Sequence, residues 1–213
     1  MGRYDIHSEE SEFQPGSQGL VLRNMVGINS PGDMDELELE LLEQLYEVVL
    51  LDQLPDRRLT VDDLRSWHWQ WLGNVYAWAG RERTVNLSKG GFMFAPSAQV
   101  SRLLASFERD CLARLTPCRG VDEATLIDAI AVSHVEFILI HPFREGNGRL
   151  SRLLADVMAV QAGRDSLDYS PWEKHKDAYI GAIHAGLAGN YDPMRRCVAE
   201  AMGAAGSGVN APT

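Results

Sequence analysis

Apolar residues recur at helical spacing along most of this chain, and at strand spacing in a single stretch. In MDELELELLEQLYEVVLLDQL, residues 34–54, Leu37, Leu41, Leu45 and Val48 fall at i, i+4, i+8 and i+11 and predict a helix capped by Asp33. Glu38, Glu40, Glu43 and Glu47 occupy the other positions and read as its solvated face. Thr60 and Asp63 make a capping box for a helix over 61–80, on which Trp67, Trp71, Val75 and Trp78 share a core-facing stripe. Further helices are predicted over about 97–115, 122–140, 147–162, 171–187 and 192–203. His134 lies on the apolar face of one of them and reads as a core histidine, while His68 reads as structural.

Between them the texture changes at RERTVNLSKGGFMFAPS. Thr84, Val85 and Leu87 have strand character, Gly90-Gly91 permits a tight turn, and Phe92, Met93 and Phe94 form a return strand ended by Pro96. A lone hairpin among helices rests on the body and leaves an edge, which can accept an extended segment of another protein or serve as a plain connector. The pattern thus predicts an all-α domain over residues 20–203, a helical bundle with one β-hairpin. A flexible arm over 1–19 and a disordered tail over 204–213, both polar, flank it.

Composition changes this picture little, and charge changes it more. With 213 residues, 45% hydrophobic and 23% charged, the chain suits one globular domain. Its net charge of −10 argues against nucleic acid or an anionic membrane as a direct partner. No Lys or Arg occurs from Asn24 to Asp56, whereas Arg144, Arg149 and Arg152 crowd together. A local basic cluster on an acidic molecule fits a small phosphorylated ligand. Cys111, Cys118 and Cys197 form no C-x-x-C pair and read as reduced thiols. No stretch resembles a signal peptide or approaches the ~18 apolar residues of a membrane span, so a cytoplasmic location is expected.

The chemistry concentrates in HPFREGNGRLSR, residues 141–152. Pro142 disfavours helix at His141, so 141–147 read as a loop leading into a helix N-terminus, where free N–H groups and the helix dipole make an anion site. Gly146 and Gly148 let the backbone form a nest close to a phosphate, and Arg149 and Arg152, at i and i+3, can reach one polyphosphate. Cations at a helix N-terminus oppose its dipole, a conflict that a bound anion resolves. Glu145 suits Mg²⁺, which favours a carboxylate plus phosphate oxygens, and His141 can accept a proton from an attacking hydroxyl. Phe143 reads as the anchor of the loop.

These residues match, at every defined position, H-x-F-x-[DE]-G-N-G-R-x-x-R, and the chain resembles the Fic family whose signature that is. VLRNMVGI, YAWAGRER and AIHAGLAGNYDPM extend the resemblance over about residues 20–200. It implies the Fic fold and a protein adenylyltransferase that moves AMP from ATP to a Ser, Thr or Tyr hydroxyl of a target protein. By position, His141 is then the base and Glu145 the Mg²⁺ ligand, with Gly146, Asn147 and Gly148 as the anion hole and Arg149 and Arg152 on the β- and γ-phosphates. The hairpin from Lys89 through Gly90, Gly91, Phe92 and Met93 to Phe94 is implied to be a flap that aligns the target, and Tyr179 and Asn190 are candidates for the adenine pocket. Gly148 stands where a kinase-like branch carries Lys, which favours AMP transfer. Many relatives carry an inhibitory [ST]-x-x-x-E-[GN] helix whose Glu meets the second motif arginine. Ser8 to Glu12 matches it weakly, so restraint by a separate small antitoxin is expected, as for stand-alone bacterial toxins. The alternatives are transfer of another nucleotide or phosphate-containing group, and a nucleotide-sensing binding protein without catalysis. A pure binder has no need of His141.

Overall fold

The structure, a computed structural model, describes residues 9–203. The predicted tail and residues 1–8 of the predicted arm lie outside the described residues.

The centre of the bundle is α5, Glu123–Ile140, capped by Asp122, whose side chain accepts from Thr125 N–H. Leu126, Ile130, Val135, Phe137 and Ile138 lie buried on all sides of it, because a helix apolar all round is stable only when surrounded. α6, Asn147–Gln161, packs along it, as does α9, Asp192–Ala201. α3, Val100–Phe107, touches α5 from another side and runs through a wide π-helical turn into the short α4, Ala113–Leu115. That turn divides the helix predicted over 97–115.

α1, Pro31–Tyr46, is capped by Ser30 rather than by Asp33, with Pro31 in the first turn. Its buried line is Met34, Glu38 and Leu45, continuing to Val49 in a π-helical segment, so Glu38 is a core position and not part of a solvated face. α2, Val61–Leu72, packs against α1 and has the expected capping box between Thr60 and Asp63. It ends eight residues before the predicted boundary at 80. Val75 and Trp78 are nonetheless buried, Trp78 stacked on Tyr76, because the chain after Leu72 folds back over the same face. The helix predicted over 171–187 is two: α7, Ser170–Lys174, and α8, Lys176–Ala185, broken at His175.

The hairpin is shorter than predicted. β1, Ser88–Lys89, pairs antiparallel with β2, Phe92–Met93, and Phe94 N–H adds a bond to the Leu87 carbonyl. Gly90 and Gly91 both have positive φ, 57° and 80°, as a two-residue turn of the hairpin-favoured hand demands. It sits on the bundle through two aromatic stacks, Phe94 on His141 at 3.7 Å and Phe92 on His184 at 4.4 Å.

The described part of the arm predicted as flexible over 1–19 is held down. Phe13 bridges to Leu22, Glu10 and Ser17 are buried, and the Glu10 carboxylate accepts from Thr84 N–H at 2.9 Å. Its carbonyl accepts from Arg144 Nε at 2.7 Å, which gives that arginine a structural task. Among the described residues, no helix is long and apolar enough to cross a membrane.

Candidate active site

α5 ends where Pro142 requires: its C-cap is His141, in the left-handed region with φ 51° and ψ 60°. This turns the imidazole out of the helix line and against the ring of Phe94, just after the hairpin. His141 Nδ1 lies 3.2 Å from the Ile138 carbonyl, which can only accept, so Nδ1 carries the proton and Nε2 keeps its lone pair. Burial, seconded by the cations Arg83 and Lys89, pushes the ring down to about 4, against the pull of the Ile138 carbonyl. At neutral pH it is an unprotonated imidazole with one nitrogen to offer.

The loop after it is fixed from inside. Phe143 is 1% exposed and stacks on His68 at 4.0 Å. His68 Nδ1 accepts from Gly80 N–H at 2.8 Å, which places the proton on Nε2, 3.1 Å from the Glu145 carbonyl. His68 is therefore structural, as expected, and holds the Glu145 peptide in place. The Asn147 side chain is spent the same way: Oδ1 accepts from Phe143 N–H at 2.9 Å and Nδ2 donates to the Phe143 carbonyl at 2.8 Å. What Asn147 leaves for a ligand is its main-chain N–H, not its amide.

Gly146 is the N-cap of α6 with φ 81°, and a Cβ there would stand 2.6 Å from Cζ3 of Trp71. Two constraints, backbone hand and the tryptophan's closeness, thus demand glycine. Gly148 faces open space. The loop and the first turn of α6 present their main-chain N–H groups beside Arg149, Arg152 and Glu145.

Both arginines are held. Arg149 Nη2 lies 2.6 Å from Oε2 of buried Glu38, its guanidinium over the Trp71 ring at 4.7 Å. Glu38 Oε1 accepts from the Tyr76 hydroxyl at 2.7 Å, and burial together with that carboxylate raises the phenol's pKa. Arg152 lies over Tyr169 at 5.0 Å and pairs at 3.1 Å with Glu173, whose side chain is 67% exposed. Glu145, half-exposed, accepts from Gly146 N–H and approaches Arg149 at 3.9 Å, and both border a cavity of about 220 Å³. Among the described residues, no three His, Cys, Asp or Glu side chains form a metal cage. Glu145 suits an ion that is otherwise held by phosphate oxygens.

The adenine-pocket candidates have local roles. The Tyr179 hydroxyl lies 2.8 Å from Nε2 of buried His134, its ring is stacked on Trp172, and it lines a cavity of about 370 Å³ with Trp172, His175 and Cys197. Asn190 Oδ1 accepts from Asp192 N–H at the start of α9. Sequence reasoning missed Glu38, Arg83, Glu173 and the task of Glu10. Glu38 left a trace, four residues from Met34 and seven from Leu45, and Arg83 closes the stretch YAWAGRER.

The Fic/DOC family is matched over residues 58–159. The chain is 28% identical over 200 residues to a probable protein adenylyltransferase, y4lH, of Sinorhizobium fredii, covering 93% of this chain and all of that one. It is 29% identical over 147 residues to the protein adenylyltransferase VbhT of Bartonella schoenbuchensis, covering 67% of this chain and 30% of VbhT. Among solved structures, the BepC effector of Bartonella tribocorum, with bound AMPPNP, superposes with a TM-score of 0.74 at 21% identity, over 92% of this chain and 97% of that one. At that identity the likeness is one of fold.

Proposed function

The chain belongs to the Fic/DOC family, and on that footing we propose that it is a protein adenylyltransferase, moving AMP from ATP to a hydroxyl of a target protein. The observation that carries this reading is His141: a partly buried imidazole with Nδ1 donated to Ile138 and Nε2 left as an acceptor, beside a helix N-terminus rich in N–H donors. A protein that merely bound nucleotide would have no use for such a base.

In this reading the target hydroxyl gives its proton to His141 Nε2 as its oxygen bonds to the α-phosphorus. The bond from that phosphorus to the bridging oxygen breaks, and pyrophosphate leaves with the electron pair. The main-chain N–H groups of Asn147 and Gly148 would face the phosphates, joined by that of Gly146 once the Glu145 carboxylate that accepts from it turns to Mg²⁺. Arg152 exchanges exposed Glu173 for phosphate at little cost, since exposed ion pairs contribute little. Arg149 keeps buried Glu38 on one nitrogen and offers the others. Mg²⁺, held by Glu145, would neutralise phosphate charge. The flap around Lys89, Gly90, Gly91, Phe92, Met93 and Phe94 would align the target by its strand edge. Tyr179 and Asn190 remain the candidates for contacting adenine.

The test is incubation of the purified chain with α-labelled ATP, Mg²⁺ and a bacterial lysate. His141→Ala is expected to lower label transfer roughly 100- to 10,000-fold, and EDTA to abolish it. Transfer that survives His141→Ala would refute the base.

Restraint by a separate small antitoxin in the cytoplasm belongs to the same proposal. Ser8 lies outside the described residues, Glu12 pairs with Arg23, and Glu10 engages Thr84, so neither glutamate occupies Arg152. The pure chain is then active without an activating substitution. A silent chain awakened by Glu173→Ala would place the restraint in the chain itself.

A further inference from the structure

Arg83 lies outside the motif, is 2% exposed, and spends its guanidinium on main-chain carbonyls. Its Nε donates to His141 O at 2.6 Å, Nη1 to Val85 O at 2.6 Å, and Nη2 to Ala95 O at 2.5 Å and Ile140 O at 3.3 Å. Its own N–H reaches Pro142 O at 2.8 Å. Val85 is on the chain entering the hairpin, Ala95 on the chain leaving it, Ile140 ends α5, and His141 carries the imidazole. We propose that Arg83 is a positioning residue that locks the flap and the base His141 into one fixed relation, a role that rests on the adenylyl-transfer reading above.

The chemistry favours arginine alone. A planar fork with five N–H donors can serve four carbonyls lying in different directions, whereas an ammonium has three donors at one point. The two carbonyls at the end of α5 belong to the negative pole of its dipole, which a cation there complements. The His141 carbonyl is one of them, so Arg83 also pins the peptide that keeps a non-glycine residue left-handed. The Glu10 carboxylate is the acid that faces Arg83. The phosphate-facing turn has independent supports, the Asn147–Phe143 bonds and the His68–Glu145 bond. Loss of Arg83 should therefore separate nucleotide binding from transfer.

The experiment compares the full chain with Arg83→Lys and Arg83→Gln by three measurements. These are binding of a fluorescent ATP analogue with Mg²⁺, label transfer from α-labelled ATP to lysate proteins and to the chain itself, and amide exchange. Expected are analogue affinity within about twofold of wild type, transfer lowered about a hundredfold, faster exchange over residues 85–95, and unchanged protection in α5 and α6. Transfer at the wild-type rate in both variants, or unchanged exchange over 85–95, would overturn the proposal. Joint loss of analogue affinity and of α5 and α6 protection in both variants would also overturn it, making Arg83 a residue of the fold. If the wild-type chain transfers no label, the adenylyl-transfer reading fails by itself, and exchange over 85–95 still decides the flap anchor.

Discussion

His141 and Gly146 are the two left-handed residues of the motif, and they hold that conformation for different reasons. At Gly146 the ring of Trp71 leaves no room for a Cβ and φ is 81°. Gly146→Ala is expected to cost about 1–3 kcal/mol of stability and to abolish label transfer, by urea unfolding and the transfer assay. Wild-type transfer in that variant would remove the nest from the mechanism. At His141 the following proline and the Arg83 fork hold the backbone, while burial holds the ring near 4. In the proposed reaction the active form is the neutral base, so activity is lost as pH falls through the folded value. The acidic limb of kcat/KM should thus lie near pH 4 rather than at the ordinary histidine value near 6.5, and a half-loss at pH 6.5 would contradict the depressed base. The placement of the motif was legible in sequence because Pro142 ends a helix at the residue before it and the glycines permit the turn that opens α6. The Asn147 amide was not, since an asparagine can equally face a ligand or close its own loop.

At the scale of elements, α1 shows how a periodic pattern can be read one position out of phase. Leu37, Leu39, Leu41 and Leu42 offer overlapping stripes, and the buried one passes through Met34, Glu38 and Leu45, with Leu39 54% exposed. Glu38 ties three helices: its carboxylate takes Tyr76 and Arg149, and its carbonyl takes Trp71 Nε1 at 2.8 Å. Glu38→Ala leaves the Tyr76 hydroxyl and Arg149 without their acceptor and should lower stability by roughly 2 kcal/mol, measured by denaturant midpoint. A neutral outcome would show that water replaces the carboxylate. Arg83 closes YAWAGRER, a stretch that carries the resemblance, but its task was not legible there because its partners are backbone carbonyls, which every residue has. The same holds for the break after Leu72, where residues outside the helix continue its apolar spacing and bury the same face.

For the molecule as a whole, the bundle was legible because helical periodicity repeats over almost its full length, and the one strand-like stretch lies where the hairpin forms. Its buried histidines were less so, and they set its response to acid. His68 and His134 are 0% and 1% exposed, and burial pushes each down to about 4. A depressed histidine stabilises the fold above its unfolded value near 6.5 and loses that contribution as pH falls toward 4, because the unfolded chain takes up a proton that the native state refuses. Each can withdraw roughly 3 kcal/mol by then. Asp156 acts the other way: burial raises it to about 6, so the proton it keeps favours the fold at low pH and that gain fades as pH rises through 6. Two fully buried histidines outweigh one aspartate, so Tm should fall steadily from pH 7 to 5. A flat Tm over that interval would count against both histidines being buried neutral.

The contact between Arg149 and Trp71 also has an optical consequence. A cation 4.7 Å from an indole centroid perturbs its excited state, and the same indole is held by the Glu38 carbonyl. Polyphosphate that draws on Arg149 changes that field. Of the five tryptophans, Trp71 is the one whose ring closes over the glycine at the start of α6. The intrinsic emission of the unlabelled protein should therefore shift as nucleotide is titrated in, a signal that Trp71→Phe would abolish.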